Sequence, residues 1–173
     1  DDAHLAETAI ASTEILKGRF LHAFRDTVLL PDATETIREY IVHPGAAMVI
    51  ALLDDGRVLL ERQYRYPMHR VMIEFPAGKL DAGETPLDCA KRELFEETGY
   101  TAREWARAGV LHPVISYSTE FIDIWFARGM VTGERVLDAG EFLEVFTATP
   151  AELSDWCRDG QVTAGLLEHA LAR

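Results

Sequence analysis

The stretch covering residues 78–100 constrains the fold more than any other part of the chain, because it encodes a helix with readable ends. Thr85 can cap the helix, Asp88 follows in a capping-box arrangement, and Pro86 suits the first helical position. Gly99 can adopt the left-handed conformation that ends a helix. One face of this helix is apolar and is expected to lie against a core, through Leu87, Ala90 and Leu94.

Three glutamates, Glu93, Glu96 and Glu97, share one face near the C-terminal end of this predicted helix. The position is unfavourable for acids, since like charges repel and the helix dipole is negative there, each effect costing up to about 1 kcal/mol. Two interpretations are open. The face is solvated and compensated by Lys91 and Arg92, or a divalent cation supplies the positive charge. Carboxylate oxygens suit Mg²⁺ or Mn²⁺, which also bind phosphate oxygens.

The spacing of charged residues and glycines over residues 78–100 resembles the Nudix box. The pattern is Gly78, five residues, Glu84, seven residues, Arg92-Glu93-Leu94, one residue, Glu96-Glu97, one residue and Gly99. Only Tyr100 departs from it, because an aliphatic residue is more usual there. The resemblance implies an α/β fold, the Nudix α/β/α sandwich with a mixed sheet, plus a small N-terminal β-sheet. It also implies a hydrolase that acts on a nucleoside diphosphate joined to another group.

The resemblance further implies a metal site for Mg²⁺ or Mn²⁺. Its ligands would be Glu93, Glu97, Glu96 and the backbone carbonyl of Ala77. Arg92 and Glu84 would hold these carboxylates in place. For Glu84 alone, a solvated loop residue is the alternative interpretation.

Two segments flanking the box, residues 61–67 and 74–78, are similar to those of ADP-ribose pyrophosphatases and related nucleoside diphosphate sugar hydrolases. The similarity implies that Arg65 approaches the diphosphate or the terminal ribose and that Glu74 contacts the sugar or adenine. A strand-end salt bridge for Arg65 and a structural ion pair for Glu74 are the alternatives. Arg38 matches a region that supplies a substrate-binding arginine.

The same resemblance places the catalytic base on a mobile loop, here residues 131–142. Glu141 aligns best with the base, which takes a proton from the attacking water. Glu120 and a box glutamate such as Glu96 are the alternatives, and Arg92 completes the expected catalytic set. The implied reaction is the metal-dependent hydrolysis of ADP-ribose or a related ADP-sugar to AMP and a sugar phosphate. Open alternatives are a dinucleotide or nucleoside-triphosphate pyrophosphatase, or a sensor that binds ADP-ribose without cleaving it.

Composition limits the partners and the compartment. The chain has 173 residues with 17 Lys+Arg and 29 Asp+Glu, a net charge of −12. Such a charge is unsuited to nucleic acid or anionic membranes, which attract basic surfaces. The longest apolar run, residues 46–53, is far shorter than the roughly 20 residues of a membrane helix. The two cysteines form no metal or redox motif. We therefore expect a cytoplasmic protein.

The strands predicted before residue 44 could form a small N-terminal sheet or an edge layer. The Nudix resemblance favours a small sheet in an N-terminal segment, residues 1–43, that is exchanged between the subunits of a homodimer. The Nudix domain would occupy residues 44–173. Strands are predicted at 12–30, 37–43, 46–53, 57–65, 71–76, 106–114, 122–128 and 141–147, and further helices at 150–160 and 163–171.

Overall fold

A computed structural model of the chain describes residues 2–137 and 140–162. Ten strands, two α-helices and two short 3-10 helices, Ala3–Leu5 and Tyr66–Met68, lie within these residues. The strands are β1 (Thr8–Lys17), β2 (His22–Leu29), β3 (Glu35–Val42), β4 (Ala46–Leu52), β5 (Val58–Arg65), β6 (Arg70–Glu74), β7 (Ala77–Lys79), β8 (Tyr100–Leu111), β9 (Ile122–Thr132) and β10 (Leu143–Ala148). The helices are α1 (Pro86–Thr98) and α2 (Pro150–Arg158).

Backbone contacts divide the chain into two compact units. The first contains the residues up to Pro44 together with residues 112–121. Within it, β1, β2 and β3 form an antiparallel sheet in that order. The later segment joins strand β3, because the Ile41 N–H donates to the Tyr117 carbonyl at 2.9 Å and the Thr119 N–H donates to the Ile41 carbonyl at 3.0 Å. The small N-terminal sheet is therefore present as predicted.

The second unit contains Gly45–Leu111 and the residues from Ile122 onwards. Its sheet has the strand order β10-β5-β4-β9-β8, with β6 beside β5 and β7 beside β4. Strands β4 and β9 are parallel, and the other pairs are antiparallel, so the sheet is mixed.

Strand β4 lies at the centre of this sheet and is buried on both faces, as its continuous apolar sequence predicts. Ala47 and Val49 pack in one core cluster with Leu94 of α1. Met48 packs in the other cluster with Leu153 of α2. The two helices therefore cover opposite faces of the sheet, which gives the predicted α/β/α layers.

Helix α1 begins and ends at the predicted residues. The Thr85 hydroxyl oxygen accepts a hydrogen bond from the Asp88 N–H at 3.2 Å. Gly99 ends the helix with a φ of 75°. A Cβ at Gly99 would lie 2.8 Å from the Gly133 carbonyl oxygen, so both the backbone conformation and the available space require glycine there.

The prediction of one strand over residues 12–30 is wrong, because this stretch contains the end of β1, a turn in which the Gly18 N–H donates to the Leu21 carbonyl at 2.8 Å, and β2. Strand β8 starts at Tyr100 directly after α1 and not at residue 106, and its first half has no strong apolar pattern that could have predicted it. The helix predicted at residues 163–171 lies outside the described residues. Within residues 2–137 and 140–162, no helix is both long enough and apolar enough to span a bilayer.

Candidate active site

Two box glutamates lie against the backbone of strand β7. Glu93 and Glu97 continue the stripe of α1 residues that faces the sheet, since they follow Cys89 and Ala90 at helical spacing. A Cβ at Gly78 would overlap the Glu93 carboxylate. The first glycine of the box therefore leaves space for this side chain.

Glu97 is held by the residue that precedes Gly78. Its carboxylate accepts a hydrogen bond from the Ala77 N–H at 3.0 Å, and the residue is only 3% exposed. The buried end of α1 is thus tied to the start of β7 through a carboxylate. This contact fixes the orientation of the Glu97 side chain.

Arg92 donates hydrogen bonds to three acids at once. Its Nε and Nη2 donate to the two carboxylate oxygens of Glu84, both at 2.9 Å. Its Nη1 donates to Glu93 at 2.7 Å and to Glu96 at 3.0 Å. The hydrogen bonds from Arg92 are the main reason that the pKa of Glu84 is lowered to about 2. Glu84 is thus a partner of Arg92. The alternative prediction for Glu84 was a solvated loop residue without such a partner.

A further acid, Glu61 on β5, lies beside Glu97 and is fully buried. Burial raises the pKa of Glu61, and the nearby charge of Glu74 adds to this. Burial also raises the pKa of Glu97, with the charge of Glu61 as the next cause. Burial thus dominates for Glu61, and the contact with Glu97 acts against it, whereas the charge of Glu61 makes Glu97 harder to ionise.

Glu141 precedes β10 and lies close to the same acids. Burial is the main reason for the raised pKa of Glu61, Glu93 and Glu97, and the charge of Glu141 contributes to all three. The structure therefore brings the predicted base to the box glutamates. Asp138, another acid of the predicted loop, lies outside the described residues.

Arg65 and Glu74 form a bidentate ion pair at the end of the β5–β6 hairpin. The Nε and Nη2 atoms of Arg65 each donate to a carboxylate oxygen of Glu74 at 2.8 Å. Hydrogen bonding to Glu74 raises the pKa of Arg65, and the charges of Glu61 and Glu97 add to the effect. The Arg65 side chain is 42% exposed, so the pair does not prevent it from contacting a ligand.

The family model of the NUDIX domain matches residues 42–165. The chain belongs to the Nudix family. An ADP-ribose pyrophosphatase of Bacillus subtilis (strain 168) is 36% identical over 147 residues, which cover 84% of this chain and 80% of that protein. A methanol dehydrogenase activator of Bacillus methanolicus is 34% identical over 160 residues, covering 90% of this chain and 85% of that protein. Membership of the family and the resemblance to ADP-ribose pyrophosphatases are confirmed.

A solved structure supports the Nudix fold. The crystal structure of an ADP compounds hydrolase superposes with a TM-score of 0.86 at 22% identity, and covers 96% of this chain and 91% of that one. The predicted fold class is thereby confirmed. The protein is a Nudix hydrolase, as the box predicts.

Two predicted site residues of this Nudix hydrolase lie in the first unit. Arg38 on β3 pairs with Glu7, its Nε and Nη2 donating at 3.0 and 2.6 Å. Glu120 lies 4.0 Å from Nε2 of His43. Their proposed contacts with substrate or with the catalytic water remain predictions.

The residues of the Nudix box fit a divalent cation by their chemistry. In the described part of the chain, no three His, Cys, Asp or Glu side chains converge with the geometry of a single ion site. Glu93 and Glu96 accept hydrogen bonds from Arg92. The buried oxygens of Glu61, however, have no hydrogen-bond partner among the described residues. A set of hard oxygen donors of this kind matches Mg²⁺ or Mn²⁺.

Sequence reasoning did not single out Glu61. The signal was present, because a charged residue directly follows the apolar run Val58-Leu59-Leu60 of β5. An acid that continues a buried strand is unusual unless it is paired or binds a metal.

Proposed function

We propose that this Nudix hydrolase cleaves the diphosphate bond of ADP-ribose or a related ADP-sugar, giving AMP and a sugar phosphate, with Mg²⁺ or Mn²⁺ as the cofactor. The observation that carries the proposal is the placement of Arg65 beside the acidic group that includes Glu61 and Glu97. A cation site and a phosphate-binding guanidinium together suit a diphosphate substrate. The similarity to an ADP-ribose pyrophosphatase supports the same substrate class.

In this proposal, the cation would be held by Glu93, Glu97, Glu96 and the Ala77 carbonyl. When bound there, it would supply positive charge to the diphosphate and lower the pKa of the attacking water. Arg92 and Glu84 keep the box carboxylates in position, since Arg92 contacts Glu84, Glu93 and Glu96 directly.

Glu141 takes the proton from the attacking water. Its charge acts on Glu61, Glu93 and Glu97, which supports a position next to the reacting phosphorus. Glu120 is the alternative base, and a Glu120→Gln variant with normal turnover would remove it from consideration.

Arg65 binds the diphosphate or the terminal ribose. Its planar guanidinium can contact a phosphate with two parallel hydrogen bonds, as it does with Glu74. Glu74 fixes the guanidinium and can accept a hydrogen bond from a sugar hydroxyl or from adenine. Arg38, which lies on an exposed strand, is proposed as a second substrate contact.

The experiment that tests the proposal compares four substrates. The protein is incubated with Mg²⁺ and ADP-ribose, NADH, ADP-glucose or dGTP, and phosphate is measured after addition of phosphatase. We expect the largest kcat/KM with ADP-ribose or ADP-glucose. Preference for NADH or dGTP would favour a dinucleotide or nucleoside-triphosphate pyrophosphatase. Binding of ADP-ribose without turnover would favour a sensor.

We also propose a homodimer in which the N-terminal region, residues 1–43, is exchanged. Strand β1 supports this, because all of its residues are exposed in a single chain and Ile10, Ile15 and Leu16 are apolar. Light scattering is expected to give twice the chain mass of 19.4 kDa, and a mass of one chain would contradict exchange.

The domain boundary after residue 43, the cytoplasmic location, and the lack of nucleic-acid and membrane partners remain predictions.

A further inference from the structure

Glu61 is a buried acid that lies beside another carboxyl, Glu97, and its nearest cationic group, Arg65, is already bound to Glu74. The residue is 0% exposed, and neither carboxylate oxygen has a hydrogen-bond partner among the described residues. A buried carboxylate is expensive unless it is paired or coordinates a metal. Its position in the sheet therefore needs an explanation.

The side chain of Glu61 faces helix α1. Side chains alternate along a strand, so Glu61 lies on the same face of β5 as Leu59 and opposite to Leu60. Leu59 packs in the core cluster that contains Leu94 of α1, and Leu60 packs in the cluster of α2. Val145, the cross-strand neighbour of Glu61 on β10, also belongs to the α1 side.

The strands on either side of β5 lead to the proposed cation ligands. On one side, Glu61 lies opposite Glu74 in the register of β5 and β6. The chain then continues from β6 to Ala77, whose N–H donates to Glu97. On the other side, β10 is preceded by Glu141. Glu61 thus lies on the face of the sheet that is covered by α1, the helix that carries Glu93 and Glu97. It also lies between the strand that leads to Ala77 and the strand that Glu141 precedes.

We propose that Glu61 is a further ligand of the divalent cation, in addition to the residues of the Nudix box. This inference rests on the proposed function, since the cation is the one that the diphosphate hydrolysis requires. It assigns a ligand from β5, outside residues 78–100. A shared proton between Glu61 and Glu97, with a purely structural role, is the rival explanation.

The test is a titration with Mn²⁺ alone, in which electron paramagnetic resonance measures the free ion. We compare the full chain with Glu61→Gln, Glu61→Leu and a matched control, Glu144→Gln. Glu144 is exposed and points away from α1, because it is the neighbour of Val145 on the same strand. We expect both Glu61 variants to weaken Mn²⁺ binding by about 10- to 100-fold, the range for residues that support a metal site. Glu144→Gln should bind Mn²⁺ like the parent chain.

The amide variant separates the two explanations. Gln is a neutral isostere of a protonated carboxyl, so Glu61→Gln would bind Mn²⁺ as tightly as the parent chain if Glu61 only shares a proton, and this result would overturn the inference. For Glu61→Leu, the loss of Mn²⁺ binding is checked by a second measurement, the unfolding temperature. The unfolding temperature without Mn²⁺ should rise, since a buried carboxyl group without hydrogen-bond partners is replaced by an apolar side chain, and its increase on adding Mn²⁺ should shrink.

Failure of the inference can be distinguished from failure of the proposed function. If the parent chain binds Mn²⁺, Glu61→Gln weakens that binding, and ADP-sugars are not hydrolysed, the ligand assignment stands and the substrate is wrong. If ADP-ribose is hydrolysed while Glu61→Gln binds Mn²⁺ normally, the substrate stands and the ligand assignment is wrong. A parent chain that binds no Mn²⁺ contradicts both.

Discussion

Two groups of acids meet at the end of helix α1, and their charges are balanced in different ways. The arginine-paired acids, Glu84, Glu93 and Glu96, all accept hydrogen bonds from Arg92. The buried acids are Glu61 and Glu97. Glu97 accepts one backbone hydrogen bond, and the oxygens of Glu61 accept no hydrogen bond from the described residues.

This difference between the two groups of acids indicates which carboxylates a bound cation would stabilise most. The arginine-paired acids already have a positive partner, which lowers the pKa of Glu84 and offsets part of the effect of burial on Glu93. Both buried acids are desolvated, which raises the pKa of both carboxyls, and the charge of Glu61 raises the pKa of Glu97 further. A divalent cation beside the buried acids would stabilise their ionised forms.

The largest effect is expected at the buried acids. Glu97→Gln keeps an oxygen for the Ala77 N–H and removes the charge, so the fold should persist while kcat/KM for ADP-ribose falls by more than about 100-fold, the upper range for residues that only support a ligand. Steady-state kinetics with Mg²⁺ measure the loss, and circular dichroism checks the fold. Activity within a few-fold of the parent enzyme would show that Glu97 is not a ligand.

Gly78→Ala tests the space at Glu93. A Cβ there would overlap the Glu93 carboxylate, so the side chain must move away from β7. We expect kcat/KM to fall by about 10- to 100-fold, as for other changes that displace a metal ligand. A crystal structure of the variant locates the displaced carboxylate. Unchanged activity would mean that the position of Glu93 is not critical.

Arg65→Lys separates substrate binding from cation binding. Lysine keeps the charge near the buried acids but loses the planar bidentate contact. We expect KM for ADP-ribose to rise by roughly 10-fold, the equivalent of about one charged hydrogen bond. The affinity for Mn²⁺, measured in the same preparation, should stay the same. A change in Mn²⁺ affinity with constant KM would reverse this assignment.

The smallest effect concerns the pH dependence of stability at the arginine-paired acids. The pKa of Glu84 is lowered from 4.5 to about 2 in the folded protein, chiefly by Arg92, so its contribution is complete above pH 4.5 and is lost as the pH falls towards 2. Urea unfolding at neutral pH and near pH 3 should show a smaller acid-induced loss in Glu84→Gln than in the parent chain. Equal losses in both proteins would contradict the pairing.

The parts of the fold that local chemistry determines were predictable. Thr85, Pro86 and Gly99 defined helix α1 because caps and left-handed glycines act within a few residues. The double burial of β4 followed from its uninterrupted apolar run. The spacing of the box indicated the family, and the geometry then placed Glu93, Glu97 and Arg92 together.

Other features depend on which strands lie side by side. Glu61 is buried against α1 only because β6 and β10 flank β5, and no local pattern reports the order of strands. The attachment of residues 112–121 to β3 is equally non-local. The start of β8 at Tyr100 was missed because a polar edge strand has only a weak alternation of apolar residues.

The most direct test of the account is the dependence of ADP-ribose hydrolysis on a divalent cation. AMP is separated by chromatography after incubation with Mg²⁺, with EDTA, and with EDTA followed by excess Mg²⁺. The account predicts AMP and a sugar phosphate in the first and third reactions and none in the second. Equal AMP in all three, or none in any, would contradict it.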